Sequence, residues 1–233
     1  PGPNDAIHEE DGSILLAGPM DIAWNRRNGL DCLGDGAPME QFLGVTNFVR
    51  WRRGRFVDAE ISLTGLNGTI RRIIRYGGAL VGTGWLFPYV QEPTIYDDVL
   101  GEWANIDADG VVWAFGGGSQ FAQMAVIGAD LWVAGLRVGA WNVTRWTGSG
   151  LPTIENYLLD SGAGEAHALL VADVGAGDEL FLGVTSDEGV PCIVRRVGSS
   201  WEPVGANAPW GTCSALAFQD FGDDGARIGA VSQ

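Results

Sequence analysis

The chain has 233 residues, 46% of them hydrophobic, with 36 Gly, 10 Pro and 10 Trp and a formal net charge of −15. This content supports a substantial core and excludes a disordered chain, while the glycines, prolines and scarcity of long helix-forming runs point to many short strands joined by tight turns. All 14 basic residues are Arg, and the charge is −1 over residues 1–75 but −14 over 76–233, which argues against a nucleic-acid partner because a basic face is needed to displace counterions.

In chain order, a turn followed by a short apolar strand that closes on Gly or Ala recurs five times: Glu10–Gly18, Tyr76–Gly84, Ile127–Gly135, Gly175–Gly183 and Asp223–Ala230. Each copy follows another short apolar strand ("AIHEE", "IRRIIRY", "QMAVI", "HALLVAD", "CSALAFQD"), so each pair reads as a hairpin with Gly, Asn or Asp where positive φ is needed. A second hairpin follows in four copies, and its turn glycines Gly54, Gly101, Gly148 and Gly198 are separated by 47, 47 and 50 residues. Four short strands at a period near 47 fit a propeller blade better than a solenoid, whose period is usually shorter. The expected fold is therefore a single all-β domain over 1–233, a β-propeller of about five four-stranded blades. They span 5–63 (with an insertion at 20–45), 65–109, 119–157, 166–207 and 212–233. The last blade holds only its first hairpin, and Asp21–Gly36, which resembles a second hairpin, is the candidate to close it; the alternatives are strands from a longer chain or from another subunit. Aromatics just after the second turn, Phe56, Trp103 and Trp201, are expected to fill the wedges between blades.

Asn47–Gly54, Asn142–Gly148 and Val194–Gly205 carry a pattern of apolar residues, then Arg-Trp or Arg-Arg, a glycine turn and a following strand. This resembles the kelch-like propeller repeats of bacterial extracellular and phage-associated proteins. The resemblance covers most of the chain and implies a repeat that binds or scaffolds; Trp is missing after the turn in "TGSGL", and the blade around Tyr96 lacks the Arg.

Candidate sites follow from residue chemistry. Arg50, Arg52, Arg53 and Arg55, with Arg71, Arg72 and Arg75 beyond them, make residues 47–75 locally +5. They are either a solvated strand edge paired with acids of the next blade or a docking surface for an acidic partner or anionic glycan. Trp85, Trp141 and Trp210 fall off the repeat rhythm and are the candidates for stacking on sugar rings. Asn105, Asp107 and Asp109 place oxygen ligands at alternate positions before Gly110, as a calcium loop does, but Gly116 stands where a bidentate carboxylate is needed. An acidic turn is the simpler reading, and no cofactor is expected. His8 and His167 lie in no zinc-ligand pattern. Cys32, Cys192 and Cys213 have no metal-site spacing and read as small buried hydrophobes, with one disulfide plus a free thiol as the alternative.

No secretory signal opens the chain and no run of eighteen apolar residues could insert in a membrane. The expected function is a non-enzymatic structural or adhesion module, a virion or tail component of a bacteriophage of a GC-rich host, bound to other subunits or to a host surface glycan. The expected location is thus the virion or an extracellular surface. A glycan-binding propeller, similar in period and Trp content to the tachylectin kind of lectin, is the alternative. A glycosidase or lactonase using axial carboxylates among Asp97, Asp98 and Glu165 is the second.

Overall fold

The computed structural model of the chain describes residues 5–25, 29–32, 41–61, 67–87, 93–106, 123–137, 140–149, 153–155, 166–175, 177–187, 191–204, 210–220 and 226–232. These residues contain no helix. The protein is all-β, and its described strands form four small antiparallel sheets of the propeller-blade kind. The chain divides into two compact units, Pro1–Ile106 and Asp107–Gln233, each holding two of the sheets.

In the first unit, sheet 1 contains β1 (Asp5–His8), β2 (Ile14–Asn25), β3 (Gly29–Cys32), β4 (Gln41–Arg52) and β5 (Arg55–Asp58), and sheet 2 contains β6 (Asn67–Tyr76), β7 (Ala79–Phe87), β8 (Thr94–Asp97) and β9 (Glu102–Asn105) in sequential order. Part of the stretch expected as an insertion is strand: β2 runs on past Gly18, through a register shift between Ala17 and Met20, and pairs with β4 from Met20↔Thr46 to Trp24↔Gln41. Where it is described, the segment expected to close the last blade is thus paired within sheet 1 instead. The β6–β7 turn shows why glycine punctuates the repeat: Gly77 and Gly78 both take positive φ (56° and 86°), the mirror-image turn whose twist matches the flanking strands. In the second hairpin of sheet 1, the β4–β5 turn holds Arg53 at φ 52° before Gly54, a conformation uncommon for a residue with a Cβ.

Alternation along these strands sends one face of each sheet into a shared core of Leu15, Ala17, Phe48, Ile70, Ile73, Leu80, Tyr96 and Trp103. Trp103 of sheet 2 lies flat against Phe48 of sheet 1, with centroids 5.5 Å apart and planes 9° off parallel, and is tilted against Tyr96 at 5.3 Å. It is the wedge expected just after a second turn. Such aromatic pairs contribute about 0.5–1.5 kcal/mol beyond their buried area. Gly82 makes room for the ring: a Cβ there would stand 3.2 Å from Trp103 Cζ3.

In the second unit, sheet 3 contains β10 (Gln123–Ile127), β11 (Asp130–Arg137), β12 (Ala140–Trp146) and β13 (Thr153–Glu155). Sheet 4 contains β14 (Ala166–Asp173), β15 (Asp178–Ser186), β16 (Ile193–Val197) and β17 (Ser200–Pro203), joined by β18 (Gly211–Asp220) and β19 (Ala226–Ser232). Ala125, Trp132, Ala134, Val143, Leu180, Leu182, Val184 and Val194 form the core between sheets 3 and 4, with Trp201 packed on it edge-to-face against Trp132 at 6.4 Å. The expected fifth blade is not a separate sheet among the described residues. Its hairpin pairs onto sheet 4 through Thr185↔Thr212 and Ser186↔Gly211. A His167–Thr185–Thr212 chain of side-chain hydrogen bonds (2.8 and 3.1 Å) holds the same junction.

Candidate functional site

The repeat contains an ion pair that two blades keep and one has lost. In β12, Arg145 stands opposite Trp132 and binds Asp130, two residues before that tryptophan, at 2.7 Å. In β16, Arg195 stands opposite Phe181 and reaches Glu179, again two residues earlier, at 3.5 Å. A guanidinium on the third strand thus spans diagonally to an acid opening the second, within reach of a cross-strand diagonal neighbour. Arg50 in β4 holds the same place, opposite Leu15. Two residues before Leu15 stands Ser13, not an acid.

Arg50 is half-buried, and among the described residues no ion pair or hydrogen bond fixes it, whereas its neighbours are occupied. Arg52 pairs with Asp11 at 3.3 Å. Arg75 Nη2 donates to both oxygens of Glu9 at 3.0 and 3.1 Å. The Asp5 carboxylate accepts from the Ile73 amide at 2.9 Å and from Arg72 at 3.4 Å. These last two pairs tie β1 and the turn after it in sheet 1 to β6 of sheet 2, acids of one blade against arginines of the next. Arg50 is the exception.

Arg50 and Arg75 line a cleft of about 770 Å³ together with His8, Glu10, Asp11 and Ser13. Both arginines also border a smaller cleft of about 200 Å³ that reaches Tyr96 and Asp98. Ser13 is 1% exposed and its Oγ has no hydrogen-bond partner. The Ser13 amide donates to Asp11 Oδ1 at 2.9 Å. Ser13, with its hydroxyl close to the carboxylate but outside hydrogen-bond geometry, is the main cause holding Asp11 below the ordinary aspartate range, ahead of Arg52 and Arg50.

The remaining candidates scatter. Arg53 sits in the β4–β5 turn, exposed, and Arg55 opens β5, with its side chain outside the described residues. Trp210 is 56% exposed just before β18. Trp85 and Trp141 occupy positions in β7 and β12, but their side chains lie outside the described residues, as do Asp107, Asp109 and Glu165 entirely; Asn105 ends β9. Among the described residues no three His, Cys, Asp or Glu side chains converge as metal ligands. Asp97 caps its own turn, accepting from the amides of Val99 and Leu100 at 2.8 and 2.9 Å, while His167 is bonded to Thr185. Cys192 and Cys213 are buried free thiols in one small cluster with Ile193, and burial pushes Cys213 up to about 12. The cleft residues that sequence reasoning missed are Glu9, Glu10, Asp11 and Ser13. They lie together in the turn between β1 and β2, where Glu9 meets Arg75 of the next sheet and Asp11 meets Arg52 of its own; the run of acids in that turn was the available signal.

Compared with known proteins, the chain matches no family model and no curated protein.

Proposed function

We propose that the chain is a non-enzymatic structural or adhesion β-propeller of kelch-like repeats, a bacteriophage virion or tail component that binds other subunits or a host surface. The observation that carries this reading is the last hairpin. It repeats the sequence pattern of the first hairpins before it, yet Ala215, Leu216, Ala217 and Phe218 of β18 and Ile228 and Ala230 of β19 remain exposed or half-exposed, while Leu180, Phe181 and Leu182 of β15 are buried. The outer edge of β19 carries no strand among the described residues. A repeat that cannot bury its own faces needs a neighbour, and an open edge is a template for one. Two further strands on that edge would complete a fifth blade, and we propose that a neighbouring subunit supplies them. The Arg50 cleft and the exposed Trp51 beside it supply a second binding surface on the first unit.

The test is the mass of the native assembly by light scattering, with proteomics of any particle that contains the chain. Recovery as a stoichiometric particle component supports the reading, and a stable monomer with catalytic turnover sinks it. The exposure of Trp210 favours one second reading, a glycan-binding propeller. A glycan array without hits, and binding unchanged by Trp210→Ala and Trp141→Ala, removes that alternative.

A further inference from the structure

We infer that Arg50 and Ser13 form a binding site for a hydroxylated carboxylate of the hexuronate class, whose carboxylate takes the place that Asp130 and Glu179 hold in the other blades. The inference rests on the reading of this unit as a binding module and names the chemistry that its cleft accepts.

Three observations converge. The register of β2 against β4 sets Arg50 where Arg145 and Arg195 stand, and in both of those blades the arginine reaches a carboxylate two residues before its cross-strand partner. In sheet 1 that position is Ser13, whose buried hydroxyl has no hydrogen-bond partner and lines the same cleft as Arg50. The repeat's Asp or Glu is thus replaced by the shorter Ser at the wall of the cleft. A planar guanidinium is suited to receive a carboxylate by paired N–H donors, and the Ser13 hydroxyl can donate to its second oxygen.

The rim decides which carboxylate. Glu10 and Asp11 flank the site, with His8 beside them. A polyanion or a strongly acidic peptide would meet these carboxylates with like charge, whereas sugar hydroxyls would donate hydrogen bonds to them. One negative charge on a ring of hydroxyls satisfies Arg50 and the acidic rim together. A volume of about 770 Å³ holds one or two sugar rings.

The experiment is calorimetric or NMR titration of the full chain with sodium glucuronate, with glucose and sodium acetate as controls. Saturable glucuronate binding is expected, with glucose silent and acetate at least tenfold weaker. Arg50→Ala should weaken glucuronate binding at least tenfold. Ser13→Asp restores the acid of the repeat and should abolish binding while the chain stays folded with an equal or higher Tm, so loss of binding cannot be attributed to unfolding. The inference is overturned if glucuronate does not saturate, if glucose competes as well as glucuronate, or if binding survives Ser13→Asp. Failure here with the chain still found in a particle would leave the structural reading standing; binding without any particle would do the reverse.

Discussion

Gly183→Ala isolates the seam between the last hairpin and sheet 4. A Cβ at this position would lie 2.7 Å from Cys213 Sγ, 2.8 Å from the Cys213 carbonyl oxygen and 3.1 Å from Ala168 Cβ. Ordinary non-bonded approach is about 3.5–4.0 Å, so the new methyl overlaps by roughly 0.5–1 Å. The thiol can rotate, but the carbonyl cannot, and relief requires β18 to move off β15. Overpacking of this kind costs about 1–3 kcal/mol, offset by about 0.4–1 kcal/mol from the lower entropy of the unfolded alanine chain. A net loss of about 1–2 kcal/mol corresponds to a fall in Tm of roughly 2–8 °C for a chain of this size. Because the hairpin pairs with β15 at only two positions, the loss should appear as local opening. The assay is thermal unfolding together with the rate of Cys213 labelling by a thiol reagent, located by peptide mass spectrometry. Labelling should accelerate about tenfold for each 1.4 kcal/mol lost locally. Gly82→Ala is the control for position, since its new methyl meets the Trp103 ring at 3.2 Å and not the Cys213 cluster, so Cys213 labelling should not change. Unchanged Tm and labelling in Gly183→Ala would refute the reasoning.

Trp132→Ala removes a side chain 1% exposed, under Arg196 at 4.7 Å and against Trp201; urea unfolding should show a loss of about 3–5 kcal/mol. Asp5→Ala leaves the Ile73 amide and Arg72 without their carboxylate and should cost about 1–3 kcal/mol in the same assay. Asp11 titrates below its ordinary value, so its contribution is present above about pH 4 and is lost as pH falls through the folded value. In Tm measured against pH, Asp11→Asn should therefore lie below wild type at neutral pH and converge with it in acid. Cys213 titrates at about 12 in the folded chain, above an ordinary thiol near 8.5. Its contribution is complete below that ordinary value and is lost as pH rises toward 12, so Cys213→Ala should remove part of the alkaline fall in stability.

The hairpins and their glycine turns were legible because a repeated unit buries the same positions each time: Leu80 and Leu131 occupy matching places in "GALVG" and "ADLWVAG". The continuation of β2 was not. Gly18-Pro19 reads as a strand end, whereas the structure absorbs both residues in a register shift and resumes pairing at Met20. The fate of the last hairpin depended on two ladder pairs and a threonine–histidine chain that no local pattern encodes. Within the arginine cluster, Arg50 and Arg52 are the same residue type in one strand, and only the neighbours across the sheet distinguish them. Aligning "GSILLAG" with "ADLWVAG" nevertheless sets Ser13 against Asp130, so the missing acid is legible in the sequence.

Hydrogen exchange read at β19 and at β15, in the free chain and in an assembled particle, tests most directly whether the last hairpin is an open blade awaiting a neighbour. The account predicts that Leu180–Val184 are protected in both states, whereas Ala226–Ser232 exchange quickly in the free chain and slow at least tenfold on assembly. Protection of β19 equal to that of β15 in the free chain, or no change on assembly, would contradict it.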